Sequence, residues 1–208
     1  MTDKNVIFVD VDDTILEFHL ILALVALNEF GIRLDYSLRE WCLGLAPIIS
    51  WKLGTEIFKR CHDREYIFLS KPLPGSVEGC NRLQELGYDI RYLTDRKLES
   101  YDDTKERLEV YGFPNSDSLT CSKDKREHLT QHKDKILTVF DDRPRTLYHC
   151  RANLGLCDVF SLKYRYNDNL SDIPGIHLRE TWPNLMERFE EVYAHDIKRE
   201  EVCLKNVH

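Results

Sequence analysis

The sequence predicts an α/β protein: a parallel sheet flanked by helices, with a helical insertion after the first strand. Three observations predict it. Short apolar runs at Val6–Val9, Ile90–Leu93 and Ile136–Phe140 read as strands buried on both faces. Amphipathic stretches closed by glycine separate the later runs, and strands alternating with helices give a parallel sheet. Each run ends in polar residues: Asp10 to Thr14, Thr94, and Asp141 with Asp142. In open sheets of this kind, ligands bind at the carboxyl ends of the strands.

The elements follow in order. Val6–Val9 opens the sheet, and from Ile15 to Phe30 the pattern turns helical, stopping at Gly31. Residues 37–69 read as helix in pieces, punctuated by Pro47 and Gly54, and hold Trp41 and Trp51, which are expected in the core of the insertion or lining its pocket. Pro72-Leu73-Pro74-Gly75 makes a rigid turn. A helix is expected over Ser76–Leu86, a strand over Ile90–Leu93, a helix over Tyr101–Tyr111 and a short strand over Ser118–Cys121. A helix over Lys125–His132, a strand over Ile136–Phe140, a helix over Thr146–Asn153, a last strand over Val159–Leu162 and a charged helix over Trp182–Lys198 complete the reading. The interval from Thr14 to Pro72 is too long for one crossover. The expected division is a core of 1–15 and 72–208 with a helical cap over 16–71.

Composition narrows the classes. The chain has 208 residues, 42% hydrophobic and 31% charged, which fits a soluble globular protein of one domain with an insertion. Acidic residues outnumber basic ones, 36 to 29, a net charge of -7 that argues against a grip on long nucleic acid. Seven scattered cysteines without a CxxC pair fit neither a disulfide framework nor a structural zinc site, and indicate a reducing cytoplasm. The N-terminus does not read as a signal peptide. The longest apolar run, Leu20–Leu27, is far short of the roughly 20 residues that span a bilayer. No membrane partner is expected.

Asp10, Asp12, Asp13, Asp141 and Asp142 all sit just past strand ends. If those strands are neighbours, several carboxylates converge, repel and raise one another's pKa. A hard cation relieves this, and Mg²⁺ is the natural choice. Asp13 reads instead as a turn or helix cap. His128 and His132 stand four apart on a predicted helix, without a third metal ligand in evidence, and read as a surface pair.

These motifs, in this order, resemble the haloacid dehalogenase (HAD) superfamily of phosphotransferases: Asp10-Val11-Asp12-Asp13-Thr14 matches its DxDxT, Thr94 its second motif, a following Lys its third, and Asp141-Asp142 its fourth. The resemblance covers about residues 4–165 and implies a HAD-like Rossmannoid sheet with a C1-type cap. Within the superfamily the chain is most similar to the 5'(3')-deoxyribonucleotidases. Their DMDGVLADF compares with Asp10 to Phe18, their EPLPGAVE with Lys71 to Glu78, their TRDK with Ser122 to Lys125, and their IDDRPD with Phe140 to Arg145. Asp13 replaces their Gly, and Thr94-Asp95-Arg96 replaces their Thr-Ser-Pro.

The resemblance implies a phosphomonoesterase acting on a small phosphorylated substrate such as a (deoxy)nucleoside monophosphate. It makes Asp10 the nucleophile and Asp12 the general acid and base. Mg²⁺ would be held by Asp10, the Asp12 backbone carbonyl and Asp142, with Asp141 a direct or indirect ligand. Thr94, Asp95 and Lys125 would contact the phosphate, with Lys123 the rival of Lys125. Arg143 either meets substrate or pairs with a neighbouring Asp. Phe18 either stacks on a base or packs inside the cap. The DDR and TDR runs also resemble the 3'-phosphatase domain of phage polynucleotide kinases, so nucleic-acid ends are the alternative substrate. A HAD scaffold that only binds partners is a third reading, opposed by the intact Asp10 and Asp12. Whether the chain acts alone or as a homodimer stays open.

Overall fold

The structure, a computed structural model, describes residues 5–34, 50–156 and 158–194. Six parallel strands form one sheet: β1 (Val6–Val9), β2 (Asp89–Thr94), β3 (Thr120–Cys121), β4 (Ile136–Phe140), β5 (Val159–Leu162) and β6 (Ile176–Arg179), in the order β3-β2-β1-β4-β5-β6. β1 is central and buried throughout, and its residues divide by parity. Ile7 and Val9 join a core with α4 (Ser76–Glu85), α5 (Tyr101–Tyr111) and α8 (Trp182–Val192). Val6 and Phe8 join the opposite core with α6 (Lys125–His132) and α7 (Pro144–Ala152). That is the period-2 alternation of a strand covered on both faces.

Between β1 and α4 lie α1 (His19–Phe30), α2 (Trp51–Arg60) and α3 (Arg64–Ile67). They pack on a third cluster of their own, with Phe18, Ile21, Val25, Ile57, Cys61 and Tyr66 at its centre. Leu73 N–H donates to Ile15 O at 2.8 Å and Glu17 N–H to Lys71 O at 2.8 Å, so the chain leaves and re-enters the sheet domain side by side. Among the described residues, no helix is long and apolar enough to cross a membrane.

Several expectations are corrected. The first helix begins at His19, not Ile15, because residues 11–18 form a tight turn in which Ile15 and Leu16 N–H both donate to Val11 O. β6 was not expected: Ile176-His177-Leu178-Arg179 alternates buried and half-buried, the pattern of an edge strand rather than an apolar run. Trp51 is 76% exposed at the start of α2, whose buried positions are Gly54 and Ile57, so it is not cap core. Trp41, Cys42, Pro47, Cys157, Cys203 and the expected helix end beyond 194 lie outside the described residues. Cys61, Cys80, Cys121 and Cys150 are free thiols.

Candidate active site

Parallel pairing of β1 with β4 places Val9 beside Phe140, so Asp10 and Asp141 leave the sheet together. Asp10 N–H donates to Phe140 O at 2.9 Å, and Asp141 N–H to Phe160 O at 3.2 Å, which extends the ladder one residue into the site. Asp10, Asp141 and Asp142 are all buried and each offers a carboxylate oxygen within 4.8 Å of the others. Burial and the Asp10 charge raise Asp141 to about 6, despite Lys125 pulling it the other way, and burial with the Asp10 and Asp141 charges raises Asp142.

Lys125 opens α6. Asp124 caps that helix by accepting from Arg126 N–H at 3.0 Å, and so aims the first helical residue at the strand ends. Lys125 Nζ lies 2.5 Å from Asp10 Oδ1 and 3.1 Å from Asp141 Oδ2. Burial works against its charge, but Asp10 and Asp141 outweigh that and keep it cationic. Lys123 is exposed. Thr94, at the end of β2, is buried; its Oγ1 accepts from Arg96 N–H at 3.2 Å, leaving the hydroxyl proton to be donated.

Asp12 stands outside this group. Arg96 grips its carboxylate through Nε at 3.1 Å from both oxygens and Nη2 at 2.6 Å from Oδ1, and is itself held by Thr104 on α5 at 3.0 Å. Burial raises the Asp12 pKa, yet the Arg96 charge and hydrogen bonds prevail and hold the carboxyl below the usual range. His62, between α2 and α3, stands 4.0 Å from Asp12 Oδ2. Burial chiefly, with Arg96, Lys97 and Arg143 adding, lowers the His62 pKa to about 4 against the pull of Asp12. Phe18 stacks on His62 at 5.5 Å and 21°, and meets Phe58 edge-on. It packs within the cap cluster and forms an aromatic group beside Asp12.

Asp95 is ion-paired with Arg143, with Arg145 at 3.9 Å from the same oxygen. Its other oxygen is buried without a hydrogen-bond partner. Arg143 N–H also donates to Asp141 Oδ1 at 2.8 Å. Asp13 adopts φ 54°, a left-handed conformation that Asp tolerates better than most residues, where the deoxyribonucleotidase motif has Gly. Its carboxylate accepts from Phe18 and His19 N–H at 3.0 and 3.1 Å and thereby caps α1.

The structure therefore gathers Asp10, Lys125, Asp141 and Asp142, and pairs Arg143 with Asp95. It adds Arg96, His62 and Tyr166, whose hydroxyl donates to Asp142 Oδ2, to the site. Arg96 stands within the quoted Thr94-Asp95-Arg96 run, and its place two residues past the strand end was the available signal. His62 and Tyr166 lie in irregular segments without a periodic pattern.

Fold, motif order and the carboxylate cluster point the same way. The chain resembles phosphatases of the HAD superfamily. Residues 69–148 match the family model of HAD superfamily, subfamily IIIB (acid phosphatase), a span that includes Thr94, Lys125, Asp141 and Asp142. A Bacillus cereus protein named as a candidate nucleotidase is 27% identical over 176 residues, covering 80% of this chain and 90% of that one. A HAD family hydrolase from Deinococcus radiodurans, solved with bound phosphate and sodium, superposes with a TM-score of 0.64 at 14% identity, over 92% of this chain and 97% of that one. A haloacid dehalogenase-like hydrolase from Streptococcus pneumoniae gives 0.65 at 14% identity, over 91% and 100%.

Proposed function

We propose that the protein is a Mg²⁺-dependent phosphomonoesterase that removes phosphate from nucleoside or deoxynucleoside monophosphates through an aspartyl-phosphate on Asp10. The observation that carries this reading is the convergence of Asp10, Asp141 and Asp142 around Lys125 at the ends of β1 and β4.

The residues fit a hard cation. Three buried carboxylates crowd together, and the Asp142 Oδ1 is buried without a hydrogen-bond partner. Asp10, Asp142 and the Asp12 backbone carbonyl would hold Mg²⁺, with Asp141, which pairs with Lys125, a direct or indirect ligand. When bound, Mg²⁺ supplies the positive charge that lets a carboxylate approach an anionic phosphate.

In the first displacement an Asp10 oxygen forms a bond to phosphorus while the ester P–O bond breaks. Asp12 gives a proton to the departing alkoxide oxygen from its protonated form, which the Arg96 pair makes the minor one. In the second, water attacks the phosphorus of the aspartyl-phosphate, its proton passes to Asp12, and the bond to Asp10 breaks. The Thr94 hydroxyl and Lys125 ammonium hold the phosphoryl oxygens and stabilise charge in the transition state. Lys125 moves from the Asp10 carboxylate to the phosphate as Asp10 loses its charge to the new bond.

Support for a nucleotide comes from the aromatic group of Phe18, Phe58 and His62 beside Asp12, and from the nucleotidase description of the Bacillus cereus relative. The test is a comparison of deoxynucleoside monophosphates with 3'-phosphorylated oligonucleotides at several salt concentrations. Preference for the mononucleotides, with little salt dependence, is the expected result. Preference for the oligonucleotide with a steep fall in salt would overturn the substrate reading in favour of nucleic-acid ends.

A further inference from the structure

The loop after β5 is built around Asp142. Asn167, fully buried, donates from Nδ2 to Asp142 O at 3.1 Å and Leu162 O at 2.9 Å, while its Oδ1 accepts from Tyr164 N–H at 2.8 Å. That pins the Asp142 backbone to the end of β5. The Tyr166 hydroxyl donates to Asp142 Oδ2 at 2.5 Å.

Tyr166 is itself held in place. Its ring stacks on Tyr164 at 5.2 Å and 22°, and on His19 at 6.0 Å and 16°. His19 Nδ1 lies 2.5 Å from Asp13 Oδ2, and the Tyr164 hydroxyl donates to Asp13 O at 2.6 Å. The stack therefore ties the first turn of α1 to a carboxylate of the candidate metal site.

One oxygen of Asp142 is thus occupied and the other is not. Oδ2 takes the Tyr166 proton, whereas Oδ1 is buried without a hydrogen-bond partner. Mg²⁺ prefers near-octahedral coordination with one oxygen from each carboxylate. Ca²⁺ takes six to eight oxygens at longer distance and readily accepts both oxygens of one carboxylate. A carboxylate whose second oxygen is engaged can serve the first cation well and the second poorly.

We propose that Tyr166 is a positioning residue that confines Asp142 to coordination through Oδ1 and so favours Mg²⁺ over Ca²⁺. This rests on the reading above that Asp10 and Asp142 hold the cation, and goes beyond it by assigning the selectivity to a residue outside the four motifs. Tyr166→Phe keeps the ring and its two stacks and removes only the donor.

The experiment is calorimetric titration of the full chain with Mg²⁺ and with Ca²⁺, without substrate, for the wild type, Tyr166→Phe and a control, Tyr164→Phe. Thermal unfolding in chelator reports whether each variant is folded. Tyr166→Phe is expected to weaken Mg²⁺ binding by about tenfold or more, the usual effect of losing a partner that orients a ligand. Ca²⁺ binding is expected to change less, so the ratio of the two dissociation constants falls, while Tyr164→Phe keeps the wild-type ratio. An unchanged ratio in Tyr166→Phe overturns the proposal, even if both affinities drop, because a loosened fold would weaken both cations alike. A wild type that binds neither cation overturns the metal reading itself and this inference with it. Infrared spectra of the wild type give a check that does not depend on any variant: carboxylate stretches of one-oxygen ligation in both the Mg²⁺ and Ca²⁺ forms support the proposal, and a two-oxygen signature that appears with Ca²⁺ overturns it.

Discussion

The Asp12 carboxylate is met by Arg96 through three contacts of 2.6 to 3.1 Å, and the guanidinium is almost wholly buried. The pair keeps Asp12 ionised to lower pH than an isolated carboxyl would allow. A step that needs protonated Asp12 therefore fails at a lower pH with Arg96 present than without it. Arg96→Met should move the falling limb of the pH–kcat profile upward for an alkyl phosphate, whose leaving group needs a proton. An aryl phosphate, with its better leaving group, should show a much smaller shift. Equal shifts for both esters would contradict the assignment of Asp12 as the acid. Lys125→Met removes the cation shared by Asp10 and Asp141. Breaking a buried ion pair on one side costs about 3–5 kcal/mol. That loss should appear as a lower urea midpoint in chelator, and added Mg²⁺ should restore part of it.

Two short segments outside the regular helices and strands shape the site. The turn after β1 depends on Asp13, whose left-handed backbone and two accepted N–H groups start α1. Asp13→Ala leaves those donors buried without a partner and should lower stability by about 2 kcal/mol, read from the urea midpoint; Asp13→Asn, which keeps an acceptor, should lose less. The turn between α2 and α3 carries His62, buried neutral with a pKa near 4. The unfolded chain, with a histidine near 6.5, binds a proton across this window that the folded chain does not. His62 therefore contributes a loss of stability as pH falls from about 6.5 toward 4. Relative to His62→Gln, the wild type should lose about 2 kcal/mol between pH 7 and pH 5. A constant difference across that range would contradict a buried neutral His62.

At the scale of the whole molecule, the sheet order brings the two Asp-bearing strands together at its centre, and α8 braces them from behind. The buried Trp182 stacks on Phe140 at 5.5 Å and 4°, and its Nε1 donates to Thr14 O at 2.7 Å. A Cβ on Gly79 would stand 2.5 Å from Trp182 Cε3. Gly79→Ala should therefore overpack this contact and lower stability by about 1–3 kcal/mol, measurable as a reduced thermal midpoint.

Most of this architecture was legible in the sequence because a central parallel strand has to be apolar on both faces. Val6–Val9 and Ile136–Phe140 advertise themselves, and the Asp residues that follow them mark the site. β6 escaped because an edge strand needs only one apolar face. The similarity of Ser122 to Lys125 to TRDK pointed to Lys125, which the structure places beside Asp10 and Asp141. Tyr166 was not legible, because its position depends on a stack with His19 from a distant part of the chain, and such packing leaves no local pattern.

The proposed reaction requires that Asp10 become covalently phosphorylated during turnover. The direct measurement is rapid acid quench of the working enzyme, reduction with borohydride, and peptide mass spectrometry. An aspartyl-phosphate is reduced to homoserine, whereas a free carboxylate is not. Homoserine is expected at position 10, and is expected to be lost in Asp10→Asn together with phosphatase activity. Sustained hydrolysis with an unmodified Asp10, or homoserine at Asp12, Asp141 or Asp142 instead, would contradict it.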